Sequence, residues 1–387
     1  PPRSGLRGRF TTTAAAWVPP PRSACMLPPH APRTVYTLRA CTQPRSRHER
    51  ASQDWVARRL ASLCGWAYGG AYETRSAPAW HPYFVPDETL DLEQATRLGI
   101  QGEDDLFGGV VPHAFVASKV IKHGVPDSAS PVPRGWSHAL AKRLDGAVLP
   151  GFTAFDAGAI ATAGQQLLAH GGRVRVKESQ ARGGHGQHLA ADAGSLRRIA
   201  AKLDPEALHR HGVVIEQHLD EATTCSVGEI RVAGRRLAYL GIQHEVTDRH
   251  GRAVYGGSSL RVLEGGMDTL GALARNDGER AAIAMARRYD AADEGAYPGF
   301  FASRRNYDVV AGLDAWGQRR CGVLEQSWRV GGASPAELVA PAAVLQPVGD
   351  AIGGGVKSPI VAAPRSGGPG DLKRVNGIER EAEERLR

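Results

Sequence analysis

Aromatic residues make up only 6% of this 387-residue chain, so stacking platforms for unpaired bases are scarce. Cysteine is rarer still. Cys25, Cys41, Cys64, Cys225 and Cys321 lie far apart, with no Cys-x-x-Cys pair. An odd and scattered set argues against a disulfide framework or a structural zinc site, and it fits a reducing, cytoplasmic setting. No apolar run is long enough to cross a bilayer, so no membrane partner is expected. There is no Gly-x-Ser-x-Gly elbow for a serine nucleophile. Acidic residues are absent from positions 1–30. The net charge of +8 comes chiefly from arginine and is dispersed along the chain. Without a basic stripe, nucleic acid is not an expected partner.

What is present is ordinary globular material, with 42% hydrophobic and 23% charged residues and length enough for two or three domains. Residues 1–30, rich in Pro, Arg, Thr and Ala, cannot build a core. Their composition is similar to a transit peptide's. Met26 stands just ahead of the first strand-like run, so they read as an upstream extension or misplaced start, without ordered structure, in preference to a targeting signal.

Folded structure is expected to begin with a strand at Thr34–Leu38, a helix over 48–63 carrying Trp55, Val56, Leu60 and Leu63, a strand at Tyr83–Val85 and a helix over 89–98. That alternation predicts a small α/β layer. Pro, Ser and Asp mark 124–135 as a linker or exposed loop. Beyond it the pattern predicts helices over 136–145, 156–170, 193–203 and 278–290. Strands are expected after Leu149, at 213–217, and on either side of Ala233-Gly234. Residues 305–325 read as a hairpin. From about 342 the chain turns Gly/Pro-rich and reads as a largely disordered tail.

Lys177 closes a strand-like run, Arg173-Val-Arg-Val-Lys177, immediately before Ser179-Gln-Ala-Arg-Gly183-Gly184-His-Gly186. Alternate residues share a face, so Arg173, Arg175 and Lys177 point one way and the valines the other. Cations roughly 7 Å apart repel by about 2 kcal/mol at an effective dielectric near 20. That face is therefore either fully solvated or turned toward an anion. The glycines offer backbone N–H groups that can approach phosphate oxygens.

In the hairpin, a turn centred between Trp316 and Gly317 pairs Asp314 with Arg319 and sets Asp308 opposite Glu325. Facing carboxylates repel unless one is protonated or a cation lies between them. Mg²⁺ with phosphate oxygens answers that need. A slip of one residue would instead send the two acids to opposite faces. Arg329 is close enough either to pair with Glu325 or to clamp a phosphoryl group or a carboxylate.

Weaker signals are the turn-like Tyr255-Gly-Gly-Ser-Ser259 with Arg261, a candidate substrate loop, and Ser303-Arg304-Arg305, a candidate anion holder. Gly353–Ser358 mimics a phosphate loop but lacks its Gly-Lys pair and reads as tail. The histidine pairs His185/His188 and His209/His211 lack the partners of a zinc site.

Taken in order, these pieces resemble the ATP-grasp superfamily over residues 34–340. Its fold holds ATP between two α+β subdomains, usually preceded by a Rossmann-like domain. The resemblance implies a Rossmann-like α/β domain over 31–115 and an ATP-grasp domain over 116–340, with subdomains of about 116–210 and 211–340, then a tail over 341–387. It implies that Lys177 and the loop glycines Gly183, Gly184 and Gly186 cover the phosphates. Glu216 and Gln217 would read the adenine, Leu219 line its pocket and Thr224 meet the ribose. Asp308 and Glu325 would bind magnesium, and Arg329 would be the catalytic arginine. An early phosphate lysine is expected at Lys119, or else Lys142. Two positions depart from the pattern: Ser327 replaces a metal-binding Asn, and Gln217 stands where a lysine is frequent. Glu-Gln-Ser-Trp-Arg-Val-Gly-Gly also resembles an uncharacterised bacterial family usually placed beside the ATP-grasp ligases. The implied function is an ATP- and Mg²⁺-dependent ligase acting on a small molecule with a carboxylate. The alternative is a non-catalytic nucleotide-binding module.

Overall fold

The structure is a computed structural model that describes residues 33–41, 44–73, 81–181, 186–247, 253–345 and 360–364. The β-branched run Thr34–Leu38 is strand β1. Ser46 then caps helix α1 (Arg47–Cys64): its hydroxyl accepts from the Glu49 amide while the Glu49 carboxylate accepts from the Ser46 amide. Gly65 ends the helix at φ +67°, where glycine carries no strain. β2 (Ala67–Ala71) and β3 (Pro82–Pro86) flank β1 in a parallel sheet of order β2-β1-β3. Val56, Ala57 and Leu60 of α1 are buried with Val35, Tyr83 and Val85 of that sheet. This is the small α/β layer expected from the sequence.

β4 (Leu90–Asp91), α2 (Leu92–Leu98) and β5 (Gly109–Val111) follow. Two 3₁₀ turns, Ala114–Ala117 and Lys119–Lys122, lead to α3 (His138–Leu144). Next come β6 (Gly151–Ala154), α4 (Ala157–Ala169), β7 (Val174–Glu178), β8 (Gln187–Ala190), α5 (Ala193–Ala200), α6 (Pro205–His211) and β9 (Val213–Gln217). The four strands form an antiparallel sheet of order β6-β9-β7-β8. Val174, Val176 and Ile215 bury against Ile160, Ala163 and Leu196 of the helices. Strand alternation therefore turns Lys177 to the other face.

The largest sheet contains β10 (Asp220–Val232), β11 (Arg235–Thr247), β12 (Ala253–Glu264), β14 (Arg304–Leu313), β15 (Arg319–Ser327) and β16 (Ile360–Pro364), in the order β15-β14-β10-β11-β12-β16. Helix α7 (Asp277–Ala296) lies in sequence between β12 and β14, and β13 (Phe301–Ala302) joins β5 and β4 in a small sheet. Ala282, Ile283, Ala286 and Tyr289 of α7 share a core with Val227, Leu240, Tyr307, Val309 and Val323. Another core joins Ile230, Leu237, Tyr239 and Leu260 to α1 and to α8 (Ser334–Leu345).

One expectation is corrected. Tyr255–Ser259 is not a turn: it lies within β12, whose Leu260 and Val262 alternate into the core. Gly257, at φ +138°, stands beside the irregularity of the β11–β12 ladder at His244/Glu245. Within the stretch read as a largely disordered tail, α8 runs to Leu345 and Ile360–Pro364 pairs with Gly257–Arg261. The run Gly353–Ser358 lies outside the described residues. No helix among the described residues is long and apolar enough to cross a membrane.

Candidate functional site

Where the four-stranded and six-stranded sheets meet, Glu216 of β9 is 1% exposed. Its two oxygens are shared among cations. Lys177 of β7 forms an ion pair with Oε1. Lys122 Nζ lies 2.5 Å from Oε2 and 2.6 Å from the carbonyl oxygen of Leu324. His123 Nε2 stands 3.4 Å from Oε2. Lys119 Nζ is 2.9 Å from Glu325 Oε2 and donates to the carbonyl of Ala181 at 3.1 Å. Three ammonium groups and the carboxylates of Glu216, Asp308 and Glu325 thus occupy one junction.

The electrostatics follow from burial and neighbours. Burial alone would raise the Glu216 pKa, but Lys122 and then Lys177 outweigh it and hold the carboxyl well below the usual range. Burial pulls the Lys122 ammonium down to about 8 in spite of Glu216. It also pushes His123 down to about 4, so that imidazole is neutral at pH 7. Asp308 is raised by burial and by the Glu325 charge. Burial would raise Glu325 as well, but Lys119 overrides it and lowers the group.

The hairpin brings Asp308 and Glu325 together by a route the sequence did not suggest. Near the turn Leu313, not Asp314, pairs with Arg319, so the expected pairing is off by one. A bulge between Asp308 and Val309 then inserts Leu324 as the extra residue and restores Asp308 opposite Glu325. Asp314 forms its ion pair with Arg320 at 2.8 Å.

The other candidates divide. Lys119 reaches Glu325, whereas Lys142 is exposed on α3. Gly183 and Gly184 lie outside the described residues. Gly186 (φ +58°) closes the β7–β8 hairpin, its carbonyl accepting from the Glu178 amide at 2.9 Å. Gln217 carries a buried Oε1 with no hydrogen-bond partner. Leu219 is buried with Leu149 and Val310, and Thr224 pairs with Val310 on β10. Arg329 hydrogen-bonds neither Asp308 nor Glu325: its Nε lies 3.1 Å from Glu88 and its Nη1 donates to the Val330 carbonyl. The pair Arg304-Arg305 is not available to an anion. Arg304 is clamped by Glu337, and Arg305 by Glu103, Asp290 and Glu294. Ser327 faces Asn306 across the ladder and accepts from Arg304 Nη1 at 3.3 Å.

Lys122 and His123 were missed from the sequence. The available signal was Lys119-Val-Ile-Lys122: on a 3₁₀ turn, residues three apart eclipse one another, so both ammonium groups project to the same side. Among the described residues no group of three or more His, Cys, Asp and Glu could hold a metal ion. Asp308 opposite Glu325 is the carboxylate pair that could meet a hard ion, with the remaining oxygens left to phosphate and water.

The four-stranded and six-stranded sheets with their helices, preceded in the chain by a small parallel α/β layer, form the fold that the ATP-grasp resemblance implied. The chain belongs to the family described as "Protein of unknown function (DUF3182)", whose model matches residues 35–349. Among solved structures it is similar to D-alanyl-alanine synthetase A from Vibrio cholerae, at 12% identity over 78% of this chain and 90% of that chain, with a TM-score of 0.49. It is also similar to carboxyaminoimidazole ribonucleotide synthase from Aspergillus clavatus complexed with ATP (13% identity, 79% and 72%, TM-score 0.44). D-alanine–D-alanine ligase from Bacillus anthracis is a third (11% identity, 92% and 98%, TM-score 0.41). No curated protein matches the chain.

Proposed function

We propose that this chain is an ATP- and Mg²⁺-dependent ligase of the ATP-grasp kind, which converts a substrate carboxylate into an acyl phosphate for attack by an amine or another nucleophile. One observation carries the reading: Lys177 and Lys122 converge on Glu216, and Lys122 also touches the residue next to Glu325, which Lys119 holds. Buried ammonium groups need counter-ions. Glu216 serves two of them and Glu325 one, and a triphosphate would offer Lys177 and Lys119 a more highly charged partner. Gly186 closes the β7–β8 hairpin beside Lys177, so its backbone N–H would contribute to a phosphate cradle. Gln217 Oε1 is suited to accept from an adenine amino group, with Leu219 along the ring and Thr224 toward the ribose.

Asp308 and Glu325 would hold Mg²⁺, which when bound would neutralise charge on the β- and γ-phosphate oxygens. A substrate carboxylate oxygen would attack the γ-phosphorus, and the β–γ bridging P–O bond would break to release ADP. The nucleophile would then attack the acyl carbon and expel phosphate, the amine giving up its proton. Arg329, anchored by Glu88, would stabilise charge as it develops. On this reading 31–115 is the Rossmann-like domain and 116–340 the ATP-grasp domain. Cys41, Cys64, Cys225 and Cys321 are free thiols, in keeping with a reducing cytoplasm.

A thermal-shift assay tests the proposal. ATP with Mg²⁺ at a hundredfold excess over Kd should stabilise the parent by about 2.7 kcal/mol, and Lys177→Ala and Glu325→Ala should lose most of that gain. An undiminished shift in either variant counts decisively against it. Ser327 at the usual Asn position favours a second reading, a nucleotide-binding module without catalysis. Stabilisation by ATP with no ADP release, across a panel of candidate carboxylates, would select that reading.

A further inference from the structure

The three hydrogen bonds to the Asp308 carboxylate all fall on one of its oxygens. Gln243 Nε2 donates to Oδ1 at 2.7 Å, Asn306 Nδ2 at 2.9 Å and Ser226 Oγ at 3.2 Å. Each donor comes from a different strand, β11, β14 and β10. Gln243 Nε2 also donates to Ser226 Oγ at 2.9 Å, so one amide group braces both the carboxylate and a second donor. Asn306 is held from behind. Its Oδ1 is 2.9 Å from the Tyr239 hydroxyl, which lies 2.8 Å from Glu337 Oε1, and Glu337 is clamped by Arg304. Register places Gly241, Ser226, Asp308 and Glu325 in one row across four strands.

An oxygen with three donors is saturated. Oδ2 takes none of these bonds and is the one left for a cation shared with Glu325. We infer that Gln243, assisted by Ser226 and Asn306, is a positioning residue that reserves Asp308 Oδ1 for the protein, makes Asp308 a one-oxygen ligand, and so biases the site toward magnesium and manganese over calcium. Calcium takes six to eight oxygens, with carboxylates often bidentate, whereas magnesium holds an octahedral shell with few protein oxygens. Hydrogen-bond partners behind a metal ligand typically change affinity by about 10–100-fold. The inference rests on the proposed metal site.

The test is calorimetric titration of Mg²⁺, Mn²⁺ and Ca²⁺ into the full chain saturated with a non-hydrolysable ATP analogue, for the parent, Gln243→Leu and Ser226→Ala. Gln243→Leu should weaken Mg²⁺ and Mn²⁺ by about tenfold while calcium affinity is retained, so the magnesium-to-calcium preference narrows. Ser226→Ala, which removes one donor and little volume, should move the ratio the same way by less. A merely structural role would lower the melting temperature and leave the ratio in place. A parent-like ratio in the folded variants overturns the inference and leaves the ligase reading standing. Absence of nucleotide-dependent metal binding in the parent overturns both.

Discussion

Glu216 is the residue on which the junction depends, because one buried carboxylate answers two ammonium groups from different elements. The sequence expectation gave it the adenine; in this structure it compensates the charges of Lys122 and Lys177. Removing it would leave Lys122, fully buried, without a counter-ion. Glu216→Gln should therefore destabilise the protein by roughly 3–5 kcal/mol, the usual cost of stranding one partner of a buried pair; urea denaturation measures it. Lys122→Met, which removes a charge instead of orphaning one, should cost less. The sequence named Glu216 and Lys177 but not their mutual contact. Periodicity places side chains on faces; which face meets which is decided by a partner 39 positions away in the chain.

At the scale of elements the acidic hairpin is the instructive case. A regular ladder from the Asp314 turn would predict the Asp308–Glu325 pairing, and the pairing is present, but through a turn one residue out of step and a compensating bulge at Leu324. The bulge leaves the Leu324 carbonyl outside the regular ladder, and Lys122 takes it at 2.6 Å. A bulge has no composition signature, so sequence could not have foreseen it. The same strand carries Arg304, which a sequence reading offers to a substrate anion. Instead it ties β14 to α8 through Glu337, at 1% and 0% side-chain exposure. Arg304→Ala should cost about 3–5 kcal/mol. Replacing Arg304 and Glu337 together by apolar residues of similar volume should cost less than either single change, a comparison that chemical denaturation of the four species makes directly.

For the whole molecule, the buried His123 makes one defined contribution to the dependence of stability on pH. Burial depresses its pKa from 6.5 to about 4. Between those values the unfolded chain binds the extra proton, so stability rises with pH through that window and is lost as pH falls from about 6.5 toward 4. The full difference amounts to about 3 kcal/mol. Because Asp308, raised by burial, works in the opposite direction over the same range, the test is a difference: from pH 7 to 5 the melting temperature of the parent should decline relative to that of His123→Asn. The α/β layer, most helices, the Ala233-Gly234 turn and the lysine strand were legible in the sequence, since capping, alternation and turn chemistry act over a few residues. α8, β16 and the strand through Tyr255–Ser259 were not, because their partners and not their composition make them regular. By itself the sequence determined which residues carry charge and which faces are apolar. The tertiary structure decided which charges neutralise each other, since ion pairing inside a protein depends on distance and burial across elements far apart in the chain.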